Sequence, residues 1–273
     1  MRKLLSIVLV LFIMPSFIFA SELTDFKDLS GRIDIAGGTA HIPVMKEAAQ
    51  NIMSLNKNIT ITVTGGGSGV GVKQVGEGLV QIGNTGRALK DSEIEQYGLI
   101  TYPFAIDGVA VAVHPSNKVS DLTTDMLRDI FAGKINNWKE LGGENAPITI
   151  YTREDGSGTR DVFVELIMGK EQIVQKAVIV NSNGAMRTAL SKDKNAVGYI
   201  GIGHVDPQIK GISVNGVEPT QENASSGLYE VTRLLYMNTK GKPSKLTETF
   251  INYITDSADG KQIIIKAGYI PLK

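Results

Sequence analysis

The 273-residue sequence predicts an α/β fold, and three observations predict it. Short apolar or alternating runs of strand length recur along the chain. Segments of helical period lie between them, and glycine-rich junctions stand where a strand would hand over to a helix. Such alternation places the strands in largely parallel sheets with helices on their faces. Hydrophobic residues at 42% and charged residues at 21% supply enough apolar surface for an ordered core, which excludes a disordered chain.

In chain order, the runs that read as strands are Arg32–Ile35, Ile59–Thr64, Val80–Gly83, Val109–Val113, Ile148–Tyr151, Ala196–Ile202, Gly211–Val214 and Val231–Met237. Between them Val44, Ala48, Ile52 and Leu55 share one helical face. Leu122, Met126, Leu127, Ile130 and Phe131 mark a second helix, and Val162, Phe163, Leu166 and Ile167 a third. A further helix covers Ala185–Leu190. Leu246, Phe250, Ile251 and Ile254, followed by Lys261–Ala267, read as two more. There is no internal repeat and no Pro- or Ser-rich linker, so a second domain must be joined by strands that cross between two lobes.

The first twenty residues stand apart. Arg2 and Lys3 precede an apolar stretch from Leu4 to Ala20, and polar Ser21-Glu22 follows. That layout predicts a signal peptide over 1–20, cleaved after Ala20 and directing the chain out of the cytoplasm. The rest carries a net charge of −2, so it offers no basic footprint for nucleic acid. With no cysteine there is no lipid anchor, disulfide, thiol catalyst or cysteine metal cluster. His41, His114 and His204 lack the spacing of metal ligands and read as ordinary surface or loop residues. No metal site and no cofactor is expected.

Three strand-to-helix junctions carry one chemistry: Ala36-Gly37-Gly38-Thr39-Ala40, Gly65-Gly66-Gly67-Ser68-Gly69-Val70-Gly71, and Asp155-Gly156-Ser157-Gly158-Thr159. In each, glycines permit a tight turn, N–H groups point forward, a Ser or Thr adds a hydroxyl, and a helix begins. One such site is ordinarily just a helix cap; three together point to an anion cradle. Arg153, at the end of its strand, has the guanidinium for a bidentate oxyanion contact. Asp155 either orients that guanidinium or forms a surface ion pair with it. A nucleotide loop is excluded because Val72 stands where lysine is required. A nucleophile elbow is excluded because Val70 and Asp155 occupy glycine positions.

These junctions, with Lys134-Ile135-Asn136-Asn137-Trp138, Arg153-Glu154-Asp155-Gly156-Ser157-Gly158-Thr159 and Ala196-Val197-Gly198-Tyr199-Ile200, make the sequence resemble the periplasmic phosphate-binding proteins of bacterial phosphate ABC transporters, in their shorter branch. The resemblance implies a two-lobed type II periplasmic-binding-protein fold. Each lobe is then a mixed sheet flanked by helices, with the ligand in the cleft between lobes. It places lobe one at 31–108 plus 236–273 and lobe two at 109–235, with crossovers near Asp107–Val111 and Leu234–Met237. Carried over by motif, phosphate contacts fall on Thr39, the N–H of Ala40, Ser68, Arg153, Ser157, the N–H of Gly158, and Thr159. Longer members carry an aspartate where this chain has Gly86, a group that accepts the proton of hydrogen phosphate. Arg87, next to it, either brings a second positive charge to the cleft or points to solvent. Asn183, ahead of a helix, is a fourth candidate cradle.

The function implied is capture of inorganic phosphate in the periplasm and delivery to ABC permease subunits by a monomer that is not an enzyme. The alternative is another tetrahedral oxyanion, sulfate or a phosphate ester, on the same fold. Phosphomonoester hydrolysis would need a nucleophile with a base beside it, and no motif supplies that pair.

Overall fold

The structure is a computed structural model, and it describes residues 22–272. The predicted signal peptide lies outside the described residues. The chain enters through β1 (Gly31–Gly37), α1 (Ile42–Leu55), β2 (Ile59–Gly66), α2 (Gly67–Gly76), β3 (Ile82–Thr85) and α3 (Asp91–Tyr97). It then runs through β4 (Leu99–Val113), β5 (Asp121–Leu122), α4 (Thr124–Phe131), β6 (Thr149–Arg153), α5 (Gly158–Phe163), β7 (Val178–Val180) and α6 (Asn183–Lys192). It finishes with β8 (Ala196–Gly201), β9 (Lys210–Val214), α7 (Gln221–Ser225), β10 (Thr232–Lys240), α8 (Lys245–Asp256), α9 (Ala258–Lys266) and β11 (Ile270–Pro271).

The strands join in the order β2-β1-β3-β10-β4-β8-β6-β7. Two parallel regions, β2-β1-β3 and β8-β6-β7, are linked by antiparallel β4 and β10. The sheet is therefore mixed, not largely parallel. The reason is β4, a 15-residue strand whose apolar run continues through both halves, with β10 returning beside it.

Two apolar cores form on either side of that link. One gathers Ile33, Val44, Ile52, Phe104, Leu235, Phe250 and Ile264; the other gathers Val111, Leu127, Phe131, Phe163, Tyr199 and Ile212. Core membership changes along β4 between Ala105 and Val109, and at the start of β10 between Val231, which precedes the strand, and Leu235. One strand thus contributes to both cores without a linker.

Local signals account for the helix starts. Thr123, Ser157, Ser182, Thr220, Ser244 and Ser257 each cap the helix that follows by accepting a backbone N–H. Pro43 opens α1, where its missing N–H costs nothing. Three apolar faces are narrower than their periodicity predicts, and on α1 it is Leu55 that is exposed. Met126 is exposed on α4, and Leu166 is exposed because α5 passes into a π-helical turn over Val164–Met168, which rotates it outward.

Candidate functional site

The three glycine-rich junctions converge between the two cores. Thr39 and Ala40 lead into α1, Gly67 and Ser68 open α2, and Ser157, Gly158 and Thr159 open α5. All seven are buried and line one small cavity together with Gly38, His41, Gly86 and Arg233. Its volume is about 10 Å³, room for roughly one water-sized group. Roomier cavities of about 320 and 560 Å³ lie elsewhere, beside β9, but their linings bring no set of convergent donors together.

Each hydroxyl oxygen in the cavity already accepts a protein donor. Asn183 donates its backbone N–H (3.3 Å) and its Nδ2 (3.2 Å) to Thr39 Oγ1. The Gly86 N–H donates to Ser68 Oγ at 3.0 Å, and the Arg160 N–H to Ser157 Oγ at 3.3 Å. Arg233 Nη1 donates to Thr159 Oγ1 at 2.8 Å. With these lone pairs occupied, the four hydroxyl protons remain for a ligand. The helix starts add backbone N–H groups that have no intrahelical acceptor. No carboxylate lines the cavity.

Close approach explains two of the glycines. A Cβ on Gly158 would run into Ser68 Oγ and stand 2.9 Å from the Gly86 carbonyl carbon. A Cβ on Gly86 would stand 2.9 Å from Arg233 Nη1 and 3.2 Å from its Cζ. The guanidinium of Arg233 thus occupies the space a side chain at position 86 would need.

Arg233 has no counterpart in the residues singled out from the sequence. It sits on β10 directly opposite Asp107 of β4, and its Nε (3.0 Å) and Nη2 (2.6 Å) both donate to Asp107 Oδ2. Both side chains are buried. Burial pushes the Asp107 carboxyl up, and the guanidinium beside it pulls the other way. The available signal was a lone charge of opposite sign in each of two apolar strand runs, Val231–Met237 and Leu99–Val113.

Arg153 ends β6 as expected but is almost fully buried, and it does not line the cavity. Its Nε and Nη2 form a fork with Glu154 at 2.9 Å each, and its Nη1 lies 3.5 Å from Asn183 Oδ1. Tyr199 stacks on Phe163 at 4.1 Å and accepts the Arg153 N–H at 3.1 Å, which anchors the strand end. The partner of Arg153 is therefore Glu154. Asp155 instead pairs with Arg160 at the surface, because the turn after Glu154 carries its side chain outward.

Arg87 takes neither of the two positions expected for it. It is not a cavity residue and not a solvent-facing one: Nη1 and Nη2 clasp Glu93 (2.8 and 2.7 Å), and Nε donates to Asp161 of α5 at 2.9 Å. Asn183 is fully buried and joins Thr39, Arg153 and the Gly201 N–H (3.3 Å), and it is not a wall of the cavity.

Two histidines depart from their reading as surface residues. His41 is fully buried against Phe104 at 5.5 Å, and its ring nitrogens make no hydrogen bond. Burial, with Arg233 nearby, lowers it to about 3, so it is neutral at neutral pH. Burial and the charges of Arg233, Arg187 and Arg153 lower His204 to about 4. Among the described residues no cluster of three metal-ligating side chains occurs.

Comparison with known proteins bears on this geometry. A model of the PBP superfamily domain matches residues 27–258. The phosphate-binding protein PstS of Bacillus subtilis is 35% identical over 245 residues, covering 89% of this chain and 81% of the relative. The chain belongs to the PstS phosphate-binding proteins of the PBP superfamily.

Similarity to this family extends along the chain. PstS of Borreliella burgdorferi is 29% identical over 279 residues, 98% of each chain. A Clostridium perfringens chain described as a phosphate ABC transporter substrate-binding protein, crystallised with bound phosphate, is 36% identical with a TM-score of 0.84. It covers 89% of this chain and is itself covered in full. An ABC-type phosphate transport receptor of Vibrio cholerae is 34% identical with a TM-score of 0.71, covering 87% of this chain and 99% of the receptor. No helix among the described residues is long and apolar enough to cross a membrane.

Proposed function

We propose that this PstS-family chain is a receptor that captures inorganic phosphate outside the cytoplasmic membrane and delivers it to an ABC-type permease. The observation that carries the reading is the donor set of the cavity: four hydroxyls whose oxygens each already accept a protein N–H, the N–H groups of Ala40 and Gly158, and one guanidinium. A desolvated dianion is stable only where nearly every oxygen lone pair meets a donor. The phosphate named for the relatives in Bacillus, Clostridium and Vibrio agrees with that chemistry.

In this reading the two cores mark two lobes, 31–108 plus 236–273 and 109–235, with Leu235 at the boundary packing into the first core. Thr39, Ala40 and Ser68 come from one, and Ser157, Gly158 and Thr159 from the other. Arg153 acts beside them through Asn183 and Thr39. A ligand that bridges the lobes favours their closure, and the closed form is what the permease reads. The receptor works as a periplasmic or extracellular monomer with no catalytic step.

Calorimetric titration of ligand-stripped protein beginning at Ser21, with phosphate and then with phosphate in excess sulfate, tests this. Saturable one-to-one binding that survives sulfate is the expected result. Equal competition by sulfate would make the chain a general oxyanion receptor, and no binding of either would remove the reading.

A further inference from the structure

We propose, on the basis of the phosphate-receptor reading, that Arg233 selects the charge state of the ligand: the cavity takes the phosphate dianion and discriminates against the monoanion. Arg233 is the one charged side chain in the lining, and its position leaves it little freedom. Two of its nitrogens are tied to Asp107, the third donates to Thr159 Oγ1 and lies 3.5 Å from the Gly86 carbonyl, and Gly86 has no side chain to displace it. A planar, permanently charged fork held in this way is a fixed positive field at the floor of the site.

The rest of the lining works in the same direction. A phosphate monoanion brings two O–H groups that need acceptors, whereas the dianion brings one. The cavity has no carboxylate, and each of its four hydroxyls already spends a lone pair on a protein N–H donor. An O–H group facing a donor forfeits its hydrogen bond and keeps its desolvation cost, whereas the dianion's single O–H still finds the remaining lone pair of Ser68, Ser157 or Thr159.

Among the groups around Arg233, burial pushes the Asp107 carboxyl up against the pull of the guanidinium, while the two histidines supply no competing switch near neutral pH. Asp107 faces it from β4 and Thr159 from α5. His41, ahead of α1, and His204, after β8, both feel its charge and stay neutral above about pH 3 and 4 respectively. Tyr269, ahead of β11, is fully buried, donates to the Ala40 carbonyl at 2.7 Å, and is raised well above its ordinary value by burial. Arg153 and Arg187 are the other guanidiniums that act on His204. The titration that governs binding is then the second ionisation of phosphate itself. When the monoanion is captured, its acidic O–H bond breaks, the electron pair stays on phosphate oxygen, and one proton passes to the buffer.

Calorimetry of the wild-type chain with phosphate, at about pH 5.5 and about pH 8.5 in two buffers of different ionisation heat, reads that proton. The expected result is release of about one proton per phosphate at the lower pH and almost none at the higher. Apparent affinity should fall about tenfold per pH unit below the second ionisation, because only the dianion fraction is competent. Binding at both pH values without proton release would overturn the inference and leave the receptor reading intact; no binding at either would overturn the receptor reading.

Two variants assign the effect to Arg233. Arg233→Gln with Asp107→Asn removes both buried charges together, and it should weaken dianion binding and lose most of the proton release. Unchanged release in this double variant would remove Arg233 as the determinant. Arg233→Lys keeps the charge without the fork and should bind more weakly while still releasing the proton. Loss of release in that variant would likewise overturn the proposal, even if the double variant does not fold.

Discussion

Arg87 Nε donates to Asp161 Oδ2 across 2.9 Å, and this bond joins the segment after β3 to α5, which pack on different apolar cores. The same guanidinium holds Glu93 with its other two nitrogens, so its position is set from one side and offered to the other. Three other contacts span the same gap: Asn183 to Thr39, the Gly69 N–H to the Gly156 carbonyl at 3.0 Å, and Arg233 Nη1 to the Gly86 carbonyl at 3.5 Å. Of these four, only the Arg87 bridge joins two full charges.

Asp161→Asn should therefore weaken phosphate affinity by about two- to fivefold, mainly through faster release, since a part-exposed ion pair contributes modestly. The effect should shrink as salt is added, because screening already weakens the pair. Stopped-flow release rates at low and high ionic strength check both statements. An Asp161→Asn release rate equal to wild type at low salt would show that the bridge plays no part in holding the closed form.

Ser68→Ala removes a hydroxyl donor from the cavity and leaves the Gly86 N–H without its acceptor. A hydrogen bond to a charged group contributes about 1.5–3 kcal/mol, so phosphate affinity should fall roughly ten- to a hundredfold. The thermal midpoint of the ligand-free protein should move far less. Calorimetric titration beside a melting curve separates the two effects.

Gly158→Ala places a methyl group against Ser68 Oγ and the Gly86 carbonyl carbon, 2.9 Å away. Since those atoms belong to the opposite side of the cleft, the clash exists only when the two sides meet. The variant should fold and lose about a hundredfold or more in phosphate affinity. Small-angle scattering with saturating phosphate should show no compaction, and compaction equal to wild type would contradict the packing described above.

His41 gives the stability a defined pH dependence. Its value drops from the ordinary 6.5 to about 3 on folding, so below pH 6.5 the unfolded chain binds a proton that the folded chain refuses. Its contribution is complete above pH 6.5 and is lost as pH falls toward 3, by roughly 1.4 kcal/mol per pH unit. His204 adds a second slope that ends near pH 4. His41→Leu should flatten the acid side of the stability profile measured by urea unfolding. A profile unchanged from wild type would show that the ring is hydrated or protonated in the folded state.

Much of the fold was legible from local pattern. Periodicity located α1, α8 and α9, as well as β1, β2, β6, β8, β9 and β10, because burial of one face or run imposes the same period on the sequence. The first half of β4 escaped, since Leu99–Pro103 alternates weakly and its residues 100, 101 and 103 are exposed. The short α3 has no buried residue, so it left no apolar signature.

The glycine and hydroxyl junctions were equally legible, because a chain that must turn, expose N–H groups and begin a helix has few residue choices. What only the tertiary structure decided is which charges meet. Arg153 turned to Glu154 and Asn183, Arg87 crossed to Asp161, and Arg233, read from sequence as part of a strand, became the cation of the cavity. Charge pairing depends on atoms brought within a few ångströms from positions 74 and 126 residues apart. Local sequence carries no record of such separations, whereas a helix start or a buried strand is written in its own few residues.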